Sequence, residues 1–152
     1  MPRIVRAADV SWDGNLARGA GALTAATGAF VGLPYSLATR IAVKEGHTSP
    51  EELLAAAHGG CFTMSLAGEL TAMGTPPGRL DVRCTITMDE VEGEGHRIVH
   101  SALDVRATFP GAAEDAFAAA VEAADNGCSF AALLRAAGVG IELTTTFEPG
   151  GD

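Results

Sequence analysis

The sequence predicts an α+β fold in which antiparallel sheets wrap around one long buried helix. Three observations carry that prediction. The stretch from Ser49 to Gly74 is capped like a helix at both ends and is apolar on nearly every face, and a helix apolar all round is a buried helix. Leu80 to Met88 and Val139 to Phe147 alternate apolar and polar residues, the period of a half-buried strand. No βαβ unit repeats along the chain, which favours hairpins over a doubly wound parallel sheet.

Taken in order, Arg3 to Trp12 is β-prone, Asp13-Gly14-Asn15 is a turn, and Leu16 to Thr27 reads as the return strand. Tyr35 to Val43 reads as a further strand or extended segment, which puts Arg40 just upstream of the long helix. Ser49 is a good N-cap, Pro50 fits the first helical position, and Glu52 completes a capping box. Gly74 suits a left-handed helix end, and Pro76 and Pro77 forbid resumption. The helix Pro50 to Met73 spans about 36 Å. Glu51, Glu52, His58 and Glu69 interrupt it too often for a membrane span. After Gly78, Leu80, Val82, Cys84, Ile86 and Met88 line one face of a strand. Glu92 to Gly95 is a turn, and His96 to Phe109 returns. Pro110-Gly111 breaks that strand. Ala112 to Ala124 and Cys128 to Ala137 read as helices on either side of Asn126-Gly127, before the last strand. The expected order is β-β-β-α-β-β-α-α-β.

At 152 residues the chain fits a single domain, residues 1–152, able to bury a core without staples. Its composition, 47% hydrophobic and 19% charged, is that of a globular protein. A net charge of −9 argues against nucleic acid or an anionic membrane as partner. The N-terminal residues carry no apolar leader, so the expected location is cytoplasmic. There, three cysteines are not a disulfide framework, and each needs its own explanation.

Cys84 sits on the apolar face of a regular strand and reads as a small core hydrophobe. Cys61 follows Gly59-Gly60 inside the helix, where two glycines cost about 1 kcal/mol each unless something approaches closely. Cys128 follows Asn126-Gly127 at a helix start, where a thiolate is stabilised. Arg40 can supply fixed charge to a thiolate, and Glu51 can hold its guanidinium. His58, one helical turn before Cys61, is either a base for it or a hydrogen-bonded structural histidine, the second being favoured. No third or fourth metal ligand appears at recognisable spacing.

The segment SPEELLAAAHGGCFTMSLAGEL closely resembles the central helix of the OsmC/Ohr family of thiol-dependent hydroperoxide reductases. LPYSLATRIAVKEG resembles the OsmC branch, and NGCSFAALLRAAGVGIELT resembles the segment carrying the family's second cysteine. The resemblance implies an intertwined α+β homodimer. It implies Cys61 as the peroxidatic and Cys128 as the resolving cysteine, Arg40 as the arginine that activates the thiol, and Glu51 as the carboxylate that orients Arg40. It implies an organic hydroperoxide substrate, a dithiol reductant of the lipoyl type, and no cofactor. The chain departs from the family at Gly59-Gly60, where alanines are frequent, and at Ser129, where proline often follows the second cysteine. Leu33, Phe62, Met64 and Phe130 are candidate apolar lining. Helix arithmetic also points to a dimer: Glu51 and Cys61 lie about 15 Å apart along one axis, so Glu51 is expected to serve a site on a partner's helix. Two rival readings share the fold, an apolar-ligand-binding protein with silent thiols and a thiol redox sensor that turns over poorly.

Overall fold

The computed structural model of the chain describes residues 2–109 and 114–149. It divides into two compact units, Met1–Leu53 and Leu54–Asp152.

In the first unit, β1 (Ala8–Asp13), β2 (Ala20–Ala25) and β3 (Leu33–Tyr35) form an antiparallel sheet in that order. Gly14 has φ +88° at the first turn, a conformation that suits glycine. Gly21 is required for another reason: a Cβ there would stand 2.3 Å from the Tyr35 ring, so only glycine lets that ring lie against β2. Tyr35 packs against Trp12 with ring centroids 5.6 Å apart.

The extended reading of Tyr35 to Val43 is corrected beyond Tyr35. Leu37–Ile41 is a short helix, α1. Its cap explains the change. The Thr39 N–H donates to Ser36 Oγ (3.1 Å), and the Ser36 N–H donates to Thr39 Oγ1 (2.8 Å). That reciprocal capping box satisfies two amides and overrides the β-prone composition.

The long helix, α2, runs Pro50–Ala72. Ser49 Oγ accepts from the Glu52 N–H (3.2 Å), but the Glu52 carboxylate accepts from the Thr48 hydroxyl (2.7 Å), so half of the predicted capping box forms. Gly74 takes φ +78°, and the Thr75 N–H closes onto the Leu70 carbonyl (2.9 Å). Within one chain α2 is not buried on every side. His58, Phe62, Leu66 and Leu70 form the buried stripe, with Gly59 beside it. Ala56, Gly60, Met64 and Gly68, spaced by four on the opposite face, are exposed, Met64 by 78%.

In the second unit, β4 (Arg79–Val91) and β5 (Gly95–Phe109) form a long antiparallel hairpin. Then come α3 (Glu114–Gly127), α4 (Ser129–Ala136) and β6 (Gly140–Pro149). The expected break at Pro110-Gly111 lies outside the described residues. β6 pairs with β5 in parallel, which corrects the antiparallel expectation for this strand. The α3–α4 pair is long enough to carry the chain across before β6 starts, as a parallel pairing requires. The core is apolar: Phe62, Leu66 and Leu70 of α2, Leu103 and Val105 of β5, Phe117, Ala120 and Ala124 of α3, and Ala131 of α4.

Candidate active site

Two cysteines meet where α4 begins. Cys61 is half-buried on α2, and Cys128, 1% exposed, is the N-cap of α4. The first four amides of a helix have no partner inside it, and here sulfur accepts from one of them. The Ala131 N–H donates to Cys128 Sγ at 3.5 Å. Cys61 touches the Ser129 hydroxyl, Sγ to Oγ 3.7 Å.

The two thiols are pushed in opposite directions. Burial raises the Cys61 pKa, but hydrogen bonds from the Cys128 thiol, the Phe130 amide and the Ser129 hydroxyl and amide outweigh it, leaving Cys61 below the ordinary thiol value. Burial also raises Cys128; the Ala131 amide opposes this, but the neighbouring Cys61 adds to it, and Cys128 ends above the ordinary value. The sequence reading is therefore corrected on one point: the α4 N-terminus favours the thiolate of Cys61, not of Cys128. Groups pushed apart in this way take different roles. Cys61 is the thiol pushed toward thiolate and Cys128 the one pushed toward its protonated form.

His58 is fully buried. Its Nδ1 is 2.8 Å from Ser101 Oγ, and Cys84 Sγ lies 3.8 Å from the same nitrogen. Cys84 is thus not a plain apolar-face residue: it touches His58 and also Ser101, at 3.5 Å. Burial lowers the His58 pKa, with Asp125 opposing and Arg135 adding to that effect, so the ring is neutral at physiological pH. A Cys84 Cβ packed against α2 also explains Gly59, where an added Cβ would stand 3.1 Å from it. Gly60 has nothing within 4 Å. Asp125 and Arg135 pair side chain to side chain and clasp α3 to α4 on either side of Cys128.

Arg40 and Glu51 belong to the first unit. Arg40 Nε and Nη2 donate to Glu51 Oε1 at 2.9 and 2.5 Å. Burial raises the Glu51 pKa, but the Arg40 hydrogen bond and charge outweigh it and bring the carboxyl below its usual value. The guanidinium is therefore held by the Glu51 of its own chain. Arg40 also borders a slot of about 80 Å³ lined by Trp12, Leu16, Tyr35, Leu37 and Pro50. Of the apolar lining candidates, Phe62 is fully buried in the core, Leu33 is half-buried in β3, Met64 is exposed, and Phe130 packs on the core. Ser129 was missed as a site residue. Its signal was its position at a helix start directly after a cysteine, where both its hydroxyl and its amide face outward from the first turn. No cluster of three or more His, Cys, Asp or Glu among the described residues could hold a metal ion, and no described helix is long and apolar enough to cross a membrane.

Comparison with known proteins gives the family. Residues 43–144 match the family model described as OsmC-like protein. The chain is 32% identical over 137 residues to peroxiredoxin OsmC of Escherichia coli (strain K12), covering 90% of this chain and 91% of that protein. The fold is that of the organic hydroperoxide resistance protein OhrB of Bacillus subtilis, with a TM-score of 0.72, 20% identity, and 92% and 98% of the two chains covered. An organic hydroperoxide resistance protein OsmC from Legionella pneumophila gives a TM-score of 0.71 at 16% identity, over 95% and 99%. The chain belongs to the OsmC-like protein family.

Proposed function

We propose that the protein is a cysteine-based peroxidase that reduces organic hydroperoxides to alcohols. The observation that carries this reading is that Cys61 touches the first residue of α4, the helix that Cys128 caps, with Cys61 pushed toward thiolate and Cys128 toward thiol. The names of the relatives, peroxiredoxin OsmC and organic hydroperoxide resistance protein, support the substrate class.

The Cys61 thiolate attacks the hydroxyl-bearing oxygen of the hydroperoxide. The O–O bond breaks, the alkoxide leaves and takes a proton from solvent, and Cys61 becomes a sulfenic acid. Cys128 gives up its proton and its sulfur attacks the Cys61 sulfur. The S–O bond breaks, water leaves, and a Cys61–Cys128 disulfide remains. An external dithiol, of the lipoyl type, reduces the disulfide by exchange and is itself oxidised. The chemistry uses no cofactor and no metal.

Arg40 and Glu51 act as a unit in this reading. Glu51 fixes the guanidinium, and Arg40 supplies positive charge to a Cys61 site. The protein works as a homodimer in the cytoplasm. The exposed residues Ala56, Gly60 and Gly68 on α2, all small, support close packing of a second copy there.

The test is consumption of an organic hydroperoxide with a dithiol donor by wild type, Cys61→Ser and Arg40→Met. Turnover in wild type, none in Cys61→Ser and a large loss in Arg40→Met are expected. A wild type that binds but does not consume hydroperoxide contradicts the proposal and favours a ligand-binding protein. A single oxidation without turnover favours a redox sensor.

A further inference from the structure

Ser129 is the first residue of α4 and is exposed. Its hydroxyl lies 3.7 Å from the Cys61 sulfur, within range for an oxygen–sulfur hydrogen bond. Once Cys61 is a thiolate, it has no proton to give, so the hydroxyl must be the donor. The Ser129 backbone N–H is one of the donors of the helix start that have no partner inside the helix, and it lowers the Cys61 pKa. One residue thus places a hydroxyl donor on the sulfur and a helix-start amide next to it, at the solvent side of the site. The remaining neighbours cannot take over this task. Cys128 is buried below and is consumed in the second step, and the Phe130 amide is a single backbone donor.

We propose that Ser129 is a catalytic residue, whose hydroxyl and amide together hold the Cys61 sulfur as a localised, correctly aimed nucleophile. This rests on Cys61 being the attacking thiol. The hydroxyl rotates freely enough to follow the sulfur. The amide is fixed by α4, whose aligned peptides add their dipole to the same end. Both donors sit on the element that carries Cys128, so the group that steadies the nucleophile also steadies the resolving cysteine beside it.

Helix rules supply variants that keep the fold. Proline is tolerated at the first position of a helix, and the residue before it must be extended, as Cys128 already is with φ −76° and ψ 116°. Ser129→Pro therefore removes hydroxyl and amide donors together, Ser129→Ala removes the hydroxyl alone, and Ser129→Thr keeps both. The measurement is the rate of Cys61 alkylation by iodoacetamide against pH, in a Cys84→Ala, Cys128→Ser background, with circular dichroism confirming the fold. At pH 6 the rate is expected to fall about threefold in Ser129→Ala and about tenfold in Ser129→Pro, with Ser129→Thr near wild type, the size of one and of two ordinary net hydrogen bonds. Single-turnover reaction with an organic hydroperoxide should fall in the same order. A Ser129→Pro variant that folds and shows the wild-type alkylation profile overturns the proposal. Alkylation does not depend on peroxide chemistry, so a wild type that fails to consume hydroperoxide while its variants still order as Pro, Ala, Thr contradicts the peroxidase reading alone.

Discussion

In the proposed reading the residue that decides the chemistry is Cys61, and what distinguishes it from the other two thiols is its surroundings. The Ser129 hydroxyl touches it and the start of α4 lowers its pKa, whereas Cys84 lies beside Ser101 and a neutral His58. Because the Cys61 pKa is lowered, its thiolate persists to lower pH than that of a free cysteine. Alkylation of the folded protein by limiting iodoacetamide at pH 7 should therefore label Cys61 first, and peptide mapping checks this. Label on Cys128 or Cys84 first contradicts the assignment. His58 makes a different prediction. Its folded pKa is depressed, so the native state binds fewer protons than the unfolded chain, and its contribution to stability is present above the ordinary value of about 6.5 and is lost as pH falls from there toward the folded pKa. The melting temperature should decline on acidification from pH 7 to 5.5, and His58→Gln should flatten that decline while leaving peroxide turnover within about twofold, since a positioned proton carrier would give at least about a hundredfold. A collapse of turnover in His58→Gln would instead make it a base for catalysis.

At the scale of elements, α4 is a helix whose cap is a reactive side chain. Cys128→Ala removes the acceptor for the Ala131 amide and should cost about 1 kcal/mol, while Cys128→Ser should recover most of it, as urea unfolding of each variant shows. Equal losses in both would mean that the sulfur contact does not act as a cap. The two mid-helix glycines separate in the same way. In Gly59→Ala the gain in helix propensity, about 1 kcal/mol, is offset by a Cβ 3.1 Å from Cys84 Cβ, but in Gly60→Ala nothing in the chain opposes it. What the sequence revealed at this scale was what lies near in sequence. The caps at Ser49 and Gly74, the alternation from Leu80 to Met88 and the cysteine after a helix break are all local patterns, and the structure follows them. What it concealed was decided at a distance. The reciprocal Ser36–Thr39 cap turned an apparent strand into α1. The direction of β6 depends on where the α3–α4 crossover ends. The Cys61 thiol is served by a helix 68 residues later, as its Ser129 contact marks, and no spacing rule within α2 reports that.

For the whole molecule, the open stripe of α2 is an unfinished feature. An apolar helix that buries only one stripe in its own chain, with Gly60 and Gly68 opposite, is suited to a second copy. Sedimentation at micromolar concentration should give a dimer, and Gly60→Leu should shift it toward monomer while each chain keeps its helical content. A wild-type monomer contradicts the homodimer. The central claim is that Cys61 and Cys128 act as one redox pair, and it is tested most directly by treating the reduced protein with one equivalent of an organic hydroperoxide and mapping its cysteines by peptide mass spectrometry. The account predicts a Cys61–Cys128 disulfide with Cys84 free. Cys61 recovered as a stable sulfenic or sulfinic acid with Cys128 still reduced, or a disulfide that includes Cys84, would contradict it.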